Sequence, residues 1–454
     1  MQGEAALVDN VTSVNLEKLV SLCKRRGFIF QSSEIYGGLA STWDYGPLGV
    51  ELKRNLKESW WRTIVWSRDD MVGLDSAILM HPTTWAASGH LQSFSDPLVE
   101  CKDCHQRWRE DQLDKPCCPD CNGNLTDSRN FNLMFKTFMG PVEEAASTVY
   151  LRPETAQGIF VNFNNVVSTT RKKLPFGIAQ IGKAFRNEIT TGNFIFRTRE
   201  FEMMEIEYFV KPGDDEDQHQ RWIDLFVNWY VSIGLNKDRI RVRVHDTNEL
   251  SHYSKATHDI EYHFPWGWGE IQGIANRTDY DLKAHSKASG ESLTYYDADT
   301  NEHITPYVIE PSAGVDRAVM ALLVDSYTEE DAPTASGGSE TRTLLKLNHN
   351  LAPVKVAILP LSRKENVSSM ARDIHHMLRV SNAINGFIQY DDRQSIGRRY
   401  RRQDEIGTPL CITVDFESLE DDSVTIRDRD TMKQERVAIK DLSSKLGNRL
   451  MIQH

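Results

Sequence analysis

The sequence predicts an α+β protein in which helices flank an antiparallel sheet, with a cysteine-rich insertion and a separate α/β domain at the C-terminal end. Three observations support this prediction. Segments 176–185 and 200–210 have the pattern of paired strands, five cysteines fall within 21 residues, and short β-rich runs interleave with helical patterns after residue 353. Because 454 residues are about three times a typical domain of ~150 residues, we expect more than one domain.

The composition excludes several classes of protein. Apolar residues make up 40% and charged residues 26% of the chain, as in average globular proteins, so the chain is not predominantly disordered. The net charge of −12 disfavours non-specific binding to a polyanion. The chain has no run of about 18 apolar residues, and residues 1–10 lack the pattern of a secretory signal. We therefore expect a cytoplasmic protein without a membrane span.

The N-terminal part predicts two helices. After Asn15, apolar residues recur at helical spacing up to Cys23, and Gly27 is a typical C-terminal stop. Pro47 can occupy the first turn of a longer helix, where its missing N–H costs nothing. The apolar stripe of that helix repeats every four residues and consists of Leu48, Leu52, Leu56, Trp60 and Ile64.

Most of the predicted sheet lies between residues 176 and 296. Strands 176–185 and 200–210 enclose a polar, arginine-bearing loop from Arg186 to Arg199. Further alternating segments extend the sheet, at 240–244, 258–264 and 293–296. Two more amphipathic helices are predicted, at 222–233 and 314–327.

The composition divides the chain into two domains and a linker. Residues 1–330 contain the predicted sheet, with the cysteine-rich insertion at 98–130. Acidic residues followed by Pro, Ser and Gly indicate a linker at 331–352. Residues 353–454 form the α/β domain, with strands predicted at 354–361, 387–390, 410–414 and 424–426.

Four cysteines have the spacing of a zinc site. Cys101-x2-Cys104 and Cys118-x2-Cys121 are separated by thirteen residues, and each pair can come from a tight turn. Cys117 is an alternative ligand to Cys118, although its spacing to Cys121 is one residue too long. Zinc bound by four thiolates has no open coordination position, so we expect structural Zn²⁺ that folds the insertion. The alternative is a set of reduced, unligated thiols.

Arginine and glutamate residues cluster at the ends of predicted strands. They occur in FRNE at 185–188, in FRTREFE at 196–202 and in EPSAGVDR at 310–317. Together these segments resemble motifs 2 and 3 of the class II aminoacyl-tRNA synthetases. The helix 48–66 and the segment 71–82 resemble motif 1, a long helix followed by a strand that contains a proline.

The resemblance narrows to the homodimeric glycyl-tRNA synthetases at RPETAQG (152–158), GEIQGIANR (269–277) and EPSAG (310–314), and it extends from about Leu16 to Leu442. Such a synthetase activates glycine with ATP to glycyl-adenylate and transfers glycine to the 3′ end of tRNA(Gly). The resemblance therefore implies a class II catalytic domain, a C-terminal anticodon-binding domain and a homodimer.

Activation requires the glycine carboxylate to attack the α-phosphorus of ATP, and guanidinium groups can neutralise the approaching charges. The resemblance implies that Arg186, Glu188 and Arg317 are catalytic, with Arg186 at the α-phosphate and Arg317 at the far end of ATP. Either Arg197 or Arg199 reaches the triphosphate. Mg²⁺ is expected with ATP, held mainly by phosphates. The implied ATP contacts are Arg186, Asn187, Glu188, Phe196, Arg197, Thr198, Arg199, Glu200, Phe201, Glu270, Ile271, Gly314, Val315, Asp316 and Arg317.

Glycine has no side chain to recognise, so a site must bind its ammonium and carboxylate groups. The resemblance implies that Glu154, Glu205 and Glu310 surround the ammonium, and that alanine is rejected for lack of room. Arg109 resembles a further substrate-contacting arginine. The implied glycine contacts are Arg109, Glu154, Phe201, Glu202, Met203, Met204, Glu205, Glu310, Pro311, Ser312, Ala313 and Gly314.

Two other functions are open from the sequence. The first is a non-catalytic, nucleic-acid-binding relative of the synthetases, but such a protein has no reason to retain these arginines and glutamates together. The second is a synthetase for serine, threonine, proline or histidine, against which the three glutamates argue. The run RRYRR at 398–402 either contacts RNA by stacking and phosphate binding, or forms a solvated helix face.

Overall fold

The computed structural model describes residues 14–251, 253–333, 337–381 and 383–451. Residues 1–10, for which the sequence predicts no secretory signal, lie outside these ranges, as do residues 334–336 of the predicted linker. Among the described residues, no helix has the length and apolar content needed to span a membrane.

A seven-stranded sheet forms the centre of the first part of the chain. Its strands are β1 (Met71–Gly73), β2 (Phe176–Phe185), β3 (Glu200–Val210), β4 (Ile240–Val244), β5 (Ala256–Phe264), β6 (Gly267–Thr278) and β7 (Tyr307–Gly314). Their spatial order is β4-β5-β6-β7-β3-β2-β1, and all neighbours are antiparallel except β1 and β2. The predicted α+β class with an antiparallel sheet is confirmed.

Two predicted strands differ in the structure. Segment 293–296 does not join the sheet, because Tyr295–Asp297 pairs with Glu302–Ile304 in a separate hairpin. Segment 71–82 contributes only the three residues of β1. Its proline, Pro82, instead begins the helix Pro82–Ala87, where the absence of a backbone N–H is tolerated.

Four helices carry most of the apolar cover on one face of the sheet: α1 (Leu16–Arg26), α2 (Pro47–Trp61), α3 (Asp215–Ser232) and α4 (Val315–Ser326). The Asn15 side chain caps α1, and Gly27 ends it in the left-handed conformation at φ 78°. Helix α2 continues as a π-helical segment, Arg62–Trp66. Its stripe residues Leu52, Leu56, Trp60 and Ile64 are fully buried in the main core.

The opposite face of the sheet carries shorter helices and a smaller core. The helices Ala156–Phe160, Phe163–Thr170 and Tyr280–Ser289 pack here around Phe163, Phe176 and Phe209. The remaining short elements before residue 330 are Ile29–Gln31, Glu34–Tyr36, Trp43–Tyr45, His90–Ser93, Ser95–Glu100, Arg107–Arg109, Glu110–Gln112, Arg129–Asn132, Lys136–Phe138, Ala145–Ser147, Thr148–Tyr150 and Lys237–Arg239.

The predicted linker 331–352 contains a β-hairpin. Strand Tyr327–Pro333 pairs with Ser339–Leu345 over seven positions. The guanidinium of Arg342 is fully buried and donates to Asp404 at 2.9 Å and to Glu330 at 2.8 Å. Composition alone does not indicate these paired strands, because it does not report the ion pairs that the buried Arg342 forms.

The C-terminal part has its own five-stranded sheet and core. In spatial order the strands are Phe387–Tyr390, Val354–Pro360, Leu410–Val414, Ser423–Asp428 and Gln434–Ala438, and the first three are parallel. The accompanying helical segments are Glu365–Val380, Ile396–Glu405, Ser418–Asp421, Ile439–Asp441 and Leu442–Met451.

The arginine run at 398–402 is largely committed to contacts within the chain. Arg399 is buried and donates to Pro360 O at 2.6 Å, while Arg402 pairs with Asp391. The Tyr400 ring lies 4.7 Å from the guanidinium of Arg427, so it does not present a free stacking surface. These contacts favour a structural explanation for the run, apart from the exposed Arg398.

Candidate active site

A polar pocket opens on the sheet face opposite α2 and α4, where β3, β6 and β7 meet the loop that precedes β3. The residues that line it are Arg186, Glu188, Ile195, Phe196, Arg197, Thr198, Phe201, Met203, Glu270, Ser312, Gly314, Asp316 and Arg317. Many residues predicted to contact ATP are therefore brought together in one cavity.

Three buried carboxylates lie behind the pocket. Glu205 accepts hydrogen bonds from the backbone N–H and the hydroxyl of Thr155, and from the hydroxyl of Ser312 at 2.7 Å. Glu154 accepts a hydrogen bond from Gln157 at 2.9 Å. We call Glu154, Glu205 and Glu310 the carboxylate cage, and Ser312 connects it to the pocket because it contacts both.

The cage has an unusual electrostatic balance. Burial raises the pKa of Glu310 to about 8, and the charges of Glu205 and Glu154 add to this effect against the opposing Arg277. Burial also opposes ionisation of Glu154, but His90 and Arg277 outweigh it and hold the pKa of this carboxyl below its ordinary value. The cage therefore presents one carboxylate that is stabilised as an anion and one that retains its proton near neutral pH.

Two arginines line the pocket. Arg186 donates through Nε to Pro153 O at 3.0 Å, and its guanidinium lies between the rings of Phe94 and Phe201, at 5.3 and 5.4 Å. Arg317 donates to the Glu270 carboxylate at 3.0 Å and stacks 4.6 Å from the Phe196 ring. Aromatic rings therefore pack against both guanidinium groups. Both arginines also line the cavity.

Comparisons with known proteins agree with this geometry. Residues 137–327 match the family described as "tRNA synthetase class II core domain (G, H, P, S and T)", and residues 355–449 match "Anticodon binding domain". The glycine–tRNA ligase of Cutibacterium acnes is 55% identical over 96% of this chain and 96% of its own length. That of Thermobifida fusca is 54% identical over 96% and 98%. The chain belongs to the glycine–tRNA ligase family.

A solved structure supports the same fold at greater distance. Prolyl-tRNA synthetase from Cryptosporidium parvum, complexed with L-proline and AMP, aligns with a TM-score of 0.64 over 97% of this chain and 76% of its own. Its sequence identity is 15%, so the likeness concerns the fold alone. The class II architecture predicted for this glycine–tRNA ligase family member is confirmed.

Strand alternation places the side chains of two predicted glycine contacts on the other face of β3. Phe201 and Met203 line the pocket, so their neighbours Glu202 and Met204 point to the opposite face of the sheet. Glu202 forms ion pairs with Lys53 at 3.1 Å and with Lys57 at 2.7 Å. Met204 is fully buried in the main core. Neither side chain faces the cage in this member of the family.

The same alternation divides the predicted contacts on β6 and β7 between the two faces of the sheet. Ser312 and Gly314 line the pocket, whereas Pro311 and Ala313 occupy the alternate positions of β7. Ala313 and two other predicted contacts, Ile271 and Val315, have side chains in the main hydrophobic core. These side chains therefore stabilise the strands and the start of α4.

The structure distinguishes the two arginines that the sequence left open. Arg199 donates to the carbonyl oxygens of Glu188 and Ala40, each at 3.1 Å, and so braces the loop. Arg197 lines the pocket, with its Nε 3.9 Å from the Glu188 carboxylate. Of the two arginines, Arg197 is therefore the one whose position favours contact with a ligand in the pocket.

Four other predicted contacts have partners within the chain. The exposed Glu200 pairs with Lys183. Arg109 donates to Asp111 at 2.7 Å and to Asp96 at 3.0 Å, and it does not line the pocket. The last two are Asp316, which accepts hydrogen bonds from Tyr45 and Lys53, and Asn187, whose backbone N–H donates to Leu133 O.

Residues that sequence reasoning missed support the cage. Arg277 is 1% exposed, binds both oxygens of Asp281 at 2.7 and 2.8 Å, and donates to Glu310 at 2.8 Å. Arg277 is the last residue of the segment GEIQGIANR. A charged residue at the end of a strand could have indicated it from the sequence. Gln157, within RPETAQG, links Glu154 to Asp281. His90 lies 3.3 Å from Glu154, and no motif indicated it.

Glu207 is a further residue that the sequence analysis did not identify, and its carboxyl group lies behind the cage. It is fully buried on β3, two residues after Glu205, and neither of its oxygens has a hydrogen-bond partner among the described residues. Burial and the nearby Glu310 hold the pKa of Glu207 well above its ordinary value. A neutral acid at this position limits the negative charge that Arg277 must balance.

The four predicted metal ligands come together in the insertion. The sulfur atoms of Cys101, Cys104, Cys118 and Cys121 all lie within 4.8 Å of one another, with Cys101–Cys121 at 3.5 Å and Cys104–Cys118 at 3.6 Å. A tetrahedral ion with bonds of about 2.3 Å separates its sulfur ligands by about 3.8 Å, so this donor set fits zinc. Cys117 is not part of the cluster, and Cys118 is the ligand that the geometry supports.

Proposed function

We propose that this chain activates glycine with ATP to glycyl-adenylate and then transfers glycine to the 3′ end of tRNA(Gly). One observation carries the proposal: a cage of buried carboxylates joins, through Ser312, a pocket lined by Arg186 and Arg317. The cage suits a small ammonium, and the arginines suit phosphate oxygens. Relatives at 52–55% identity bear the name glycine–tRNA ligase.

In the first step a glycine carboxylate oxygen forms a bond to the α-phosphorus, and the bond from that phosphorus to the bridging oxygen breaks. Pyrophosphate leaves with the electron pair. No general base is needed, because the attacking carboxylate is already ionised. Arg186 stabilises the charge that grows on the α-phosphate, and Arg197 and Arg317 hold the triphosphate so that attack and departure are in line.

Mg²⁺ enters this proposal with ATP. Oxygen Oε2 of Glu188 is buried and has no hydrogen-bond partner among the described residues, so it can accept a cation without losing a hydrogen bond. Glu270 lies at the other side of the pocket beside Arg317. We assign to Glu188 and Glu270 the acidic environment of the Mg²⁺ that neutralises phosphate charge.

In the second step a hydroxyl of the terminal adenosine of tRNA attacks the carbonyl carbon of the adenylate, and AMP leaves. We assign anticodon recognition to residues 353–454. We infer structural zinc in the four-cysteine cluster, a cytoplasmic location and a homodimer. The dimer rests on the family resemblance, and sedimentation of the purified chain at twice the monomer mass is the expected result.

The test is exchange of labelled pyrophosphate into ATP with each of the twenty amino acids, followed by charging of tRNA(Gly). We expect exchange with glycine and not with alanine or serine. A non-catalytic relative would show no exchange with any amino acid, and a synthetase of another specificity would respond to a different one.

A further inference from the structure

His90 lies beside the carboxylate cage without belonging to any motif. Its ring is 8% exposed, and its Nε2 lies 3.3 Å from Oε2 of Glu154. The other ring nitrogen, Nδ1, lies 2.8 Å from the hydroxyl of Ser88. Both nitrogens therefore have defined partners, although the residue is 64 positions from Glu154 in the chain.

The contacts determine which nitrogen of His90 faces the cage as a donor. An ionised carboxylate can only accept hydrogen bonds, so the nitrogen beside Glu154 must carry a proton. The single hydroxyl proton of Ser88 can reach either Trp85 O at 3.4 Å or Nδ1 at 2.8 Å, and donation over the shorter distance keeps the proton of a neutral ring on Nε2. The other oxygen of Glu154, Oε1, accepts from Gln157 at 2.9 Å. Gln157 and His90 therefore contact different oxygens of this carboxylate.

Aromatic packing holds the imidazole in place. The His90 ring lies 5.5 Å from the Trp85 ring, edge to face, and 5.3 Å from the Phe94 ring. Phe94 is in turn 5.3 Å from the guanidinium of Arg186. One short segment therefore contacts both the glycine end and the nucleotide end of the site.

We infer that His90 is a positioning residue for glycine recognition: it donates from Nε2 to Glu154 and holds this carboxylate with a free lone pair toward the ammonium. This inference rests on the proposed function. A hydrogen bond to a charged group is strong enough that its loss changes an equilibrium about tenfold or more. We therefore expect loss of the donor to raise the KM for glycine about tenfold, with the KM for ATP within about twofold.

Two substitutions separate hydrogen-bond donation from packing. His90→Gln places an amide N–H near the position of Nε2, whereas His90→Phe retains an aromatic ring but no donor. Glycine-dependent pyrophosphate exchange should show a KM for glycine near that of the wild type for H90Q and about tenfold higher for H90F. The reverse order, or equal increases in the KM values for glycine and ATP, would overturn the inference.

His219→Gln is the matched control, because His219 is also buried but donates toward Ile274 O on the helix-covered side of the sheet. Its KM for glycine should not change. If H90F does not fold, Ser88→Ala provides a milder test: removing the partner of Nδ1 should raise the KM for glycine about threefold, and no change would refute the inference. Absence of glycine-dependent exchange in the wild type would instead refute the proposed function.

Discussion

Replacing Glu205 by glutamine tests the carboxylate cage with almost no change in size. The Glu205 carboxylate accepts three hydrogen bonds, two from Thr155 and one from Ser312. An amide has one oxygen and one NH₂ group, so in Glu205→Gln the NH₂ group must face a donor, and the negative charge beside the ammonium is lost. Because a hydrogen bond to a charged group contributes about 1.5–3 kcal/mol, the KM for glycine should rise about 10- to 150-fold.

The assay is pyrophosphate exchange with glycine and ATP varied separately. The KM for ATP should stay within about twofold, since Glu205 lies behind Ser312 and does not line the nucleotide pocket. Glu202→Gln is the matched control on the same strand, because its side chain points to the opposite face and pairs with Lys53 and Lys57. Equal increases in both KM values for Glu205→Gln, or a larger glycine effect for Glu202→Gln, would refute the assignment.

Three further predictions address the remaining parts of the site. Arg317→Ala should lower kcat/KM for pyrophosphate exchange at least about 100-fold without changing the thermal unfolding midpoint, and near-normal exchange would contradict its assignment to ATP. Since the pKa of Glu310 is raised to about 8, the arriving ammonium should lower it, so glycine binding should release a proton near pH 7 and cease to do so well above pH 8. Calorimetry in buffers of different ionisation enthalpy measures this release, and Glu310→Gln should abolish it. Cys104→Ser should reduce zinc from about one ion per chain, as measured by atomic emission, whereas Cys117→Ser should leave it unchanged; equal loss in both would contradict the ligand set.

Local patterns predicted many of the elements. The strand bounds 176–185, 200–210 and 240–244 agree with the structure, because alternation and turn residues act over a few positions. Asn15 and Gly27 marked both ends of α1 for the same reason. Composition did not indicate the paired strands within the predicted linker, since the ion pair between Arg342 and Asp404 joins residues 62 positions apart.

The candidate site was predicted as contiguous segments, and the structure divides these segments between two faces of the sheet. A motif names consecutive residues, but a strand presents only every second side chain to one face, so the side chains of Glu202 and Met204 lie on the face opposite the pocket. The open choice between Arg197 and Arg199 depended on which guanidinium binds a carbonyl group of the loop. Sequence spacing carries no information on that contact.

The sequence alone therefore determined the chemistry available to this protein: the arginines, the glutamates and the four cysteines at ligand spacing. Tertiary structure decided which of those groups face one another, because the cage joins Glu154, Glu205 and Glu310 from three remote segments and brings Arg277 and His90 to them. The charged neighbours in that arrangement, and not the residue types themselves, separate the two pKa values: His90 and Arg277 lower the pKa of Glu154 against burial, whereas the charges of Glu205 and Glu154 add to burial in raising the pKa of Glu310.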